Sequence, residues 1–383
     1  MAPFVIMMTL SCLSLYLAFN AKFRYSSGRR VFVIFGLLAP CVLAACRDVT
    51  VGTDVLSYVV KTVDFAETHS LPESIIRFTA PNIPEIEPLY IFFTYVIAQF
   101  TNSISVYLFV IEFACVFFLY EALKELVRPN KIWFGFFIFY MLFYGFSLNL
   151  MRQVIVMCLG LWGLKYIKEH MFKRYIIIGL AMFFVHRTAV IMFLIYFLYP
   201  FVTGHNIKNK FIKNLANSNR VVFDGLLIVG SSVVVLFAGK LITLIATLTG
   251  SFQYQALHVK SYFTIIPSHL LFMSVFILLS LFFLKHAAKN NRDVEYYCVL
   301  SILAVILWQV QGISREAYRM ALYFWIFVIP YLTNIVSSIK HKKNALIVEG
   351  VFMVLAAVYF YYFTVISGMN AVYPYTSEIF GIY

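Results

Sequence analysis

The feature that most constrains this chain is a succession of long apolar runs broken by basic clusters. Thirteen runs fall near 3–19, 31–46, 88–100, 104–123, 132–148, 153–167, 175–186, 188–203, 221–238, 265–284, 294–311, 317–336 and 345–366. Charged residues make up only 12% of the 383, about half the share that a soluble globular domain carries. Such a chain lacks the polar surface that water demands. That excludes a soluble domain, a disordered chain and a disulfide-stapled secreted module. A crossing helix needs roughly 20 apolar residues, so twelve crossings would use about 240 residues and leave little beyond loops. The sequence therefore predicts an all-α polytopic membrane protein, one integral membrane domain over 1–383.

The cations predict the topology. They cluster at Lys22/Arg24/Arg29/Arg30, Lys124/Arg128/Lys131, Lys165/Lys168/Lys173/Arg174, Lys208/Lys210/Lys213/Arg220, Lys285/Lys289/Arg292 and Lys340/Lys342/Lys343. In a soluble protein a net charge of +13 would raise nucleic acid as a partner. Here the positive-inside rule accounts for it and places all six clusters in the cytoplasm. They share one side only if 88–126 crosses once. The run at 88–100 is short for a span and is followed by Thr101-Asn102-Ser103, so it is expected to be re-entrant or interfacial. The count is then about twelve transmembrane helices with both termini outside. If 88–100 crossed instead, several basic clusters would lie outside. The run Pro3–Phe19 lacks a basic leader and a small-residue cleavage site, and is expected to be the first span. Six cysteines lie in apolar stretches with no paired or metal-ligand spacing, as core fillers would.

Two long segments are expected on the outer side, 47–87 and 239–264. The first carries ten charged residues beginning with Arg47, seven of them acidic, and is cut by Pro72, Pro81 and Pro84 before Pro88. Its stretch 54–68 has apolar residues spaced for short interfacial helices. Gly239 and Gly250 punctuate the second. Neither internal repeats nor low-complexity tracts stand out.

Four constellations at the expected outer face could carry chemistry. Arg47 through Tyr58 includes Gly52 for a tight turn and Thr53 or Asp54 as a helix cap, whose free N–H groups would seat an anion. The bland alternative is a capped interfacial helix. Asn149-Leu150-Met151-Arg152-Gln153 has no acid beside its arginine, which then needs a counter-ion, a ligand or lipid phosphates. His186-Arg187-Thr188-Ala189 offers a group that exchanges a proton near neutrality, though a lone intramembrane histidine is more often a packing residue. Arg315 and Arg319 stand four apart in Ser314–Tyr323, so like charges share a helix face unless an anion or an acid such as Glu316 or Glu112 sits between them. A diphosphate would serve, because arginine grips phosphate oxygens in a bidentate fork. No Walker A loop, HExxH, GxSxG or cluster of metal-ligating residues occurs, so no metal and no cofactor is expected.

Taken in order, these segments resemble the EpsG family of Wzy-like bacterial polysaccharide polymerases. The match runs through Arg-x(4)-Gly-Thr-Asp-x(3)-Tyr at 47–58, Glu-Pro-Leu-Tyr at 87–90, Asn-x-x-Arg-Gln at 149–153, His-x-Thr-Ala at 186–189, Ser-Arg-x(3)-Arg-x(3)-Tyr at 314–323 and Tyr-Pro-Tyr at 373–375. Each motif is weak alone; order and spacing carry the likeness. Arg187 inside the fourth motif is a departure from it. The resemblance implies a bacterial inner-membrane glycosyltransferase with a fold similar to the metal-independent GT-C enzymes that use polyprenyl donors. It implies transfer of a growing chain from undecaprenyl pyrophosphate onto a new lipid-linked oligosaccharide unit, at the periplasmic or extracellular face. The product would be the O-antigen of lipopolysaccharide, capsule or exopolysaccharide, and a chain-length regulator is a candidate partner.

On that reading Arg152, Arg315 and Arg319 stabilise the leaving pyrophosphate, with Arg47 and Arg187 as further candidates. The base is Asp54 or His186, with His186 favoured because arginines lower the basicity of an aspartate. Tyr58, Asn149, Gln153 and Tyr323 are candidate sugar or phosphate contacts. A flippase for lipid-linked sugars or an O-antigen ligase would use a similar set of cations, and a flippase would be expected to show pseudo-symmetric halves.

Overall fold

The computed structural model describes residues 1–22, 26–79, 86–203, 264–313 and 318–383, with isolated positions between 225 and 240. The second outer segment, the arginine at 315 and the basic cluster at 208–220 thus lie outside the described residues, apart from single positions at the segment's ends. The described chain is helical, and its one β-type pairing is an isolated bridge between Ser377 and Ile382. Seven helices among the described residues are long and apolar enough to cross a membrane: Ala2–Asn20, Ser26–Ala45, Ile104–Leu126, Pro267–Asn290, Asp293–Gly312, Arg319–Ser338 and Lys342–Ile366. The protein is a multi-pass membrane protein. The chain divides into two compact units, 1–190 with 347–383, and 191–346.

In the first unit, α1 (Ala2–Asn20) and α2 (Ser26–Ala45) form a hairpin that packs on α6 (Ile104–Leu126), and α6 packs on α9 (Met151–Lys168). α9 is buried almost all round, as expected of a helix at the centre of a bundle. Ser103 caps α6 by accepting the Val106 N–H at 3.4 Å. The run at 132–148 divides into α7 (Ile132–Leu142) and α8 (Tyr144–Asn149), with Phe143 leaving the helical region at the break. There Tyr144 donates to the Pro40 carbonyl at 2.7 Å, and Gly145 leaves room for Asn370 and Val372 of the C-terminal tail. Four shorter helices complete this layer: α3 (Val60–Thr68), α4 (Leu71–Thr79), α5 (Pro88–Ala98) and α10 (Phe172–Val185). At 11 residues α5 is about 16 Å long, well under the hydrocarbon thickness. One face of it, Tyr90, Ile91, Thr94 and Ala98, is buried.

Contacts define the two ends of this unit. At one end Asn20 reaches the Asn130 carbonyl at 3.2 Å, and Lys131 binds Glu349 at 2.7 and 2.9 Å. This end carries the basic turns after α1, α6 and α9. At the other end the C-terminal tail folds back on the turn after α2. Asp48 N–H donates to the Thr376 carbonyl at 3.1 Å, Gly52 N–H to Ala371 at 2.8 Å, and the Tyr375 hydroxyl to Leu43 at 2.8 Å.

In the second unit, α12 (Pro267–Asn290) packs against α13 (Asp293–Trp308) and α15 (Val328–Ser338), where Ser280 donates to the Tyr331 hydroxyl at 2.8 Å. α11 (Ile191–Thr203) is tied to α13 by a Tyr199–Asp293 hydrogen bond of 2.8 Å. α14 (Arg319–Trp325) begins beside a row of rings in which His269 stacks on Trp308 at 4.7 Å and Trp308 lies 5.1 Å from Tyr318.

Candidate functional site

The tail-covered end of the first unit is where three helix ends meet. α5 starts at Pro88, whose fixed φ suits a first helical residue and leaves Glu87 extended just before it. α9 starts after Leu150, where a ψ of 51° breaks the chain from α8 and puts Arg152 in the first turn. α10 ends at Val185, and His186 turns extended with φ −157° before the short turn Arg187–Val190. Glu87 joins all three. Its Oε2 accepts from Arg152 Nη1 at 2.5 Å, and its Oε1 lies 3.1 Å from His186 Nδ1 and accepts the Arg187 backbone N–H at 2.9 Å.

Charge and burial agree with this geometry. Burial alone would push the Glu87 carboxyl up. The His186 hydrogen bond, the Arg152 and His186 charges and the Arg187 amide outweigh it and hold the group at about 2, below its ordinary 4.5. Arg152 also lies over the Tyr58 ring at 4.5 Å and near the Tyr90 ring at 5.8 Å, a cation–π contact on its flat face. Tyr90 is held in turn by Tyr107, which donates to it at 2.8 Å and bonds Thr94 at 2.9 Å. Its position is fixed from α6.

The Gly-Thr-Asp segment supports the same corner. Gly52 has φ +86°, and a Cβ there would come within 2.7 Å of the Leu148 carbonyl, so only glycine allows this approach. Thr53 then donates to Asn149 Oδ1 at 3.0 Å, and the Asp54 N–H donates to the same oxygen at 3.2 Å. The sequence predicts a side-chain cap at Thr53 or Asp54. Neither caps: Asp54 has helical φ and ψ and makes no side-chain cap bond, because Asn149 of α8 supplies the acceptor from outside. One of the N–H groups expected to seat an anion, that of Asp54, is thus already engaged. A π-helical turn, Val55–Val59, follows and carries the buried Tyr58 inward under Arg152.

The structure brings Tyr58, Asn149, Arg152, His186 and the Arg187 backbone to this corner. Arg47 lies beside it but is only 4% exposed. Its Nη2 contacts Met151 Sδ at 3.6 Å, while Nε and Nη1 are buried with no hydrogen-bond partner. Burial lowers its pKa, and the charge of Glu112 on α6, which Ser147 binds at 3.2 Å, acts against that. Gln153 is buried on α9, and Tyr323 is fully buried in the second unit, where Arg319 opens α14. Glu87 is the residue that sequence reasoning missed. Its signal was present in Glu-Pro-Leu-Tyr, where an acid precedes a helix-starting proline, but nothing local linked it to Arg152. Among the described residues no three His, Cys, Asp or Glu side chains are grouped to hold a metal ion.

Fold and site together define a polytopic helical membrane protein with a buried Arg–Glu–His cluster at the end of one unit away from its basic turns. The chain belongs to the EpsG family: the family match covers residues 30–377 and takes in all the motifs above. EpsG proteins are Wzy-like polymerases of polysaccharide biosynthesis. No curated protein and no solved structure matches the chain.

Proposed function

We propose that the protein is a metal-independent polysaccharide polymerase of the bacterial cytoplasmic membrane, working on lipid-linked units at the outer face. A hydroxyl of the terminal sugar on one unit attacks the anomeric carbon of a chain carried by undecaprenyl pyrophosphate. The new glycosidic C–O bond forms, the bond to the pyrophosphate breaks, and undecaprenyl pyrophosphate leaves. Arg152 stabilises the charge that develops on the leaving group, with Arg315 and Arg319 as further cations. Preorganised donors of this kind commonly contribute more to catalysis than any other single effect, about 3–4 kcal/mol per donor. His186 takes the hydroxyl proton. It is favoured over Asp54 because its Nδ1 already lies against a carboxylate, which supports a base.

The observation that carries this reading is the Arg152–Glu87–His186 cluster in an EpsG-family chain. Its placement at the end opposite Asn130 and Lys131 supports the outer face, since basic turns stay in the cytoplasm. About twelve crossings and a GT-C-like arrangement belong to the same reading. The test is purified protein in lipid vesicles with lipid-linked repeat units. A polymer ladder is expected. A single transfer would favour a ligase, translocation without transfer a flippase, and either would overturn the proposal.

A further inference from the structure

Glu87 does more than neutralise Arg152. A carboxylate that served only as counter-ion would give both oxygens to the guanidinium in the fork that the two groups favour. Here the two oxygens part: one faces Arg152, and the other faces His186 Nδ1 and the Arg187 N–H. Arg187 N–H is a fixed donor, so that oxygen can only accept, and the imidazole nitrogen facing it at 3.1 Å bonds it only as Nδ1–H. In neutral His186 the lone pair is then on Nε2, a nitrogen that makes no hydrogen bond among the described residues. The charged groups that share Glu87 with this histidine are Arg152 from α9, on the other carboxylate oxygen, and Arg187 beside it, whose backbone N–H meets the same oxygen.

We propose that Glu87 is a positioning residue that fixes His186 as the Nδ1–H tautomer, so that Nε2 is the atom that receives the acceptor hydroxyl's proton. The proposal deepens the polymerase reading and rests on it for the identity of that hydroxyl. The proton moves from sugar oxygen to Nε2 as the glycosidic bond forms. It leaves with solvent after the pyrophosphate departs. Glu87 stays ionised throughout, and it ties the base to the same carboxylate that holds the leaving-group cation.

Glu87→Gln separates this from a structural tie. A glutamine keeps the shape but must turn its NH2 toward one side. Facing Arg152, that group opposes a cation, a heavier cost than opposing the neutral Arg187 N–H on the other side, so the oxygen stays there and the NH2 faces His186. Nδ1 must then accept, and the proton moves to Nε2, where the lone pair was needed. The experiment is 15N NMR of histidine-labelled protein in nanodiscs, with His186→Gln to assign the signal, alongside steady-state polymerisation. Wild type is expected to show Nδ1–H in the neutral form, and Glu87→Gln to show Nε2–H. With a lipid-linked repeat unit as substrate, kcat is expected to fall about 10²–10⁴-fold, with KM for the lipid-linked donor changed only a few-fold. An Nε2–H tautomer in wild type would overturn the proposal even if Glu87→Gln does not fold. So would an unchanged tautomer in the variant. Failure of wild type to make any polymer would instead remove the polymerase reading and leave the tautomer result standing.

Discussion

Among the described residues of the first unit, each end has a buried cation–carboxylate pair, Lys131–Glu349 and Arg152–Glu87, and the two differ in how the carboxylate is used. At the basic end Lys131 takes both oxygens of Glu349, at 2.7 and 2.9 Å, and the pair closes on itself. At the tail-covered end Glu87 gives one oxygen to Arg152 and the other to His186 and the Arg187 amide. Both pairs are similarly buried, with side-chain exposures of 18% and 4% against 15% and 7%. Burial therefore does not tell them apart; connectivity does. The closed pair ties the start of α7 to the last long helix (α16, Lys342–Phe360). The open pair gathers three helix ends, the starts of α5 and α9 and the end of α10.

Breaking each pair should show the difference, and the largest effect should come from Arg152→Ala. Loss of this donor is expected to lower polymerisation about 10²–10³-fold in purified, folded protein, read as polymer formed per molecule. Next comes Lys131→Ala, which leaves Glu349 buried and alone. It is expected to destabilise the protein by about 3 kcal/mol in thermal or denaturant unfolding, yet leave polymer formed per folded molecule near wild type. Gly52→Ala sharpens the comparison from the backbone side. A side chain at φ +86° would meet the Leu148 carbonyl, and the strain is expected to cost about 1–3 kcal/mol and to loosen Asn149 beside Arg152. The smallest signal is in pH. Because Glu87 is held at about 2 rather than 4.5, its pairing stabilises the fold above about pH 4.5. That contribution is lost as pH falls from there through about 2. Unfolding measured against pH should show this slope in wild type and a flatter one in Glu87→Gln.

Much of this arrangement is legible in the sequence, for a physical reason. Membrane crossing demands long apolar helices, so the spans announce themselves through composition. Arg152 and His186 stand out because polar groups at the junction of apolar runs are expensive and demand a partner. The partner is what the sequence conceals. Glu87 is one of many acids in 47–87, and it lies 65 residues from Arg152 and 99 from His186. Pairing across that distance is decided by how α5, α9 and α10 pack, which hydropathy does not encode. The helix breaks at Phe143 and Leu150 are hidden likewise, since neither carries proline or glycine at the break itself. The same holds for the Asp54 N–H, whose acceptor Asn149 comes from a helix 95 residues away.

The most direct test replaces each pair whole, so that no charge is left buried alone. Apolar replacement of a buried ion pair is often neutral or stabilising, which keeps folding out of the comparison. Lys131→Met with Glu349→Leu is expected to fold and to give a wild-type polymer ladder from lipid-linked units. Arg152→Met with Glu87→Leu, which also takes the acceptor from the Arg187 N–H, is expected to fold with a modest loss of stability and to give no ladder per folded molecule. Equal ladders from the two double variants would contradict the account, because the Arg152–Glu87 pair would then be a second clasp and nothing more.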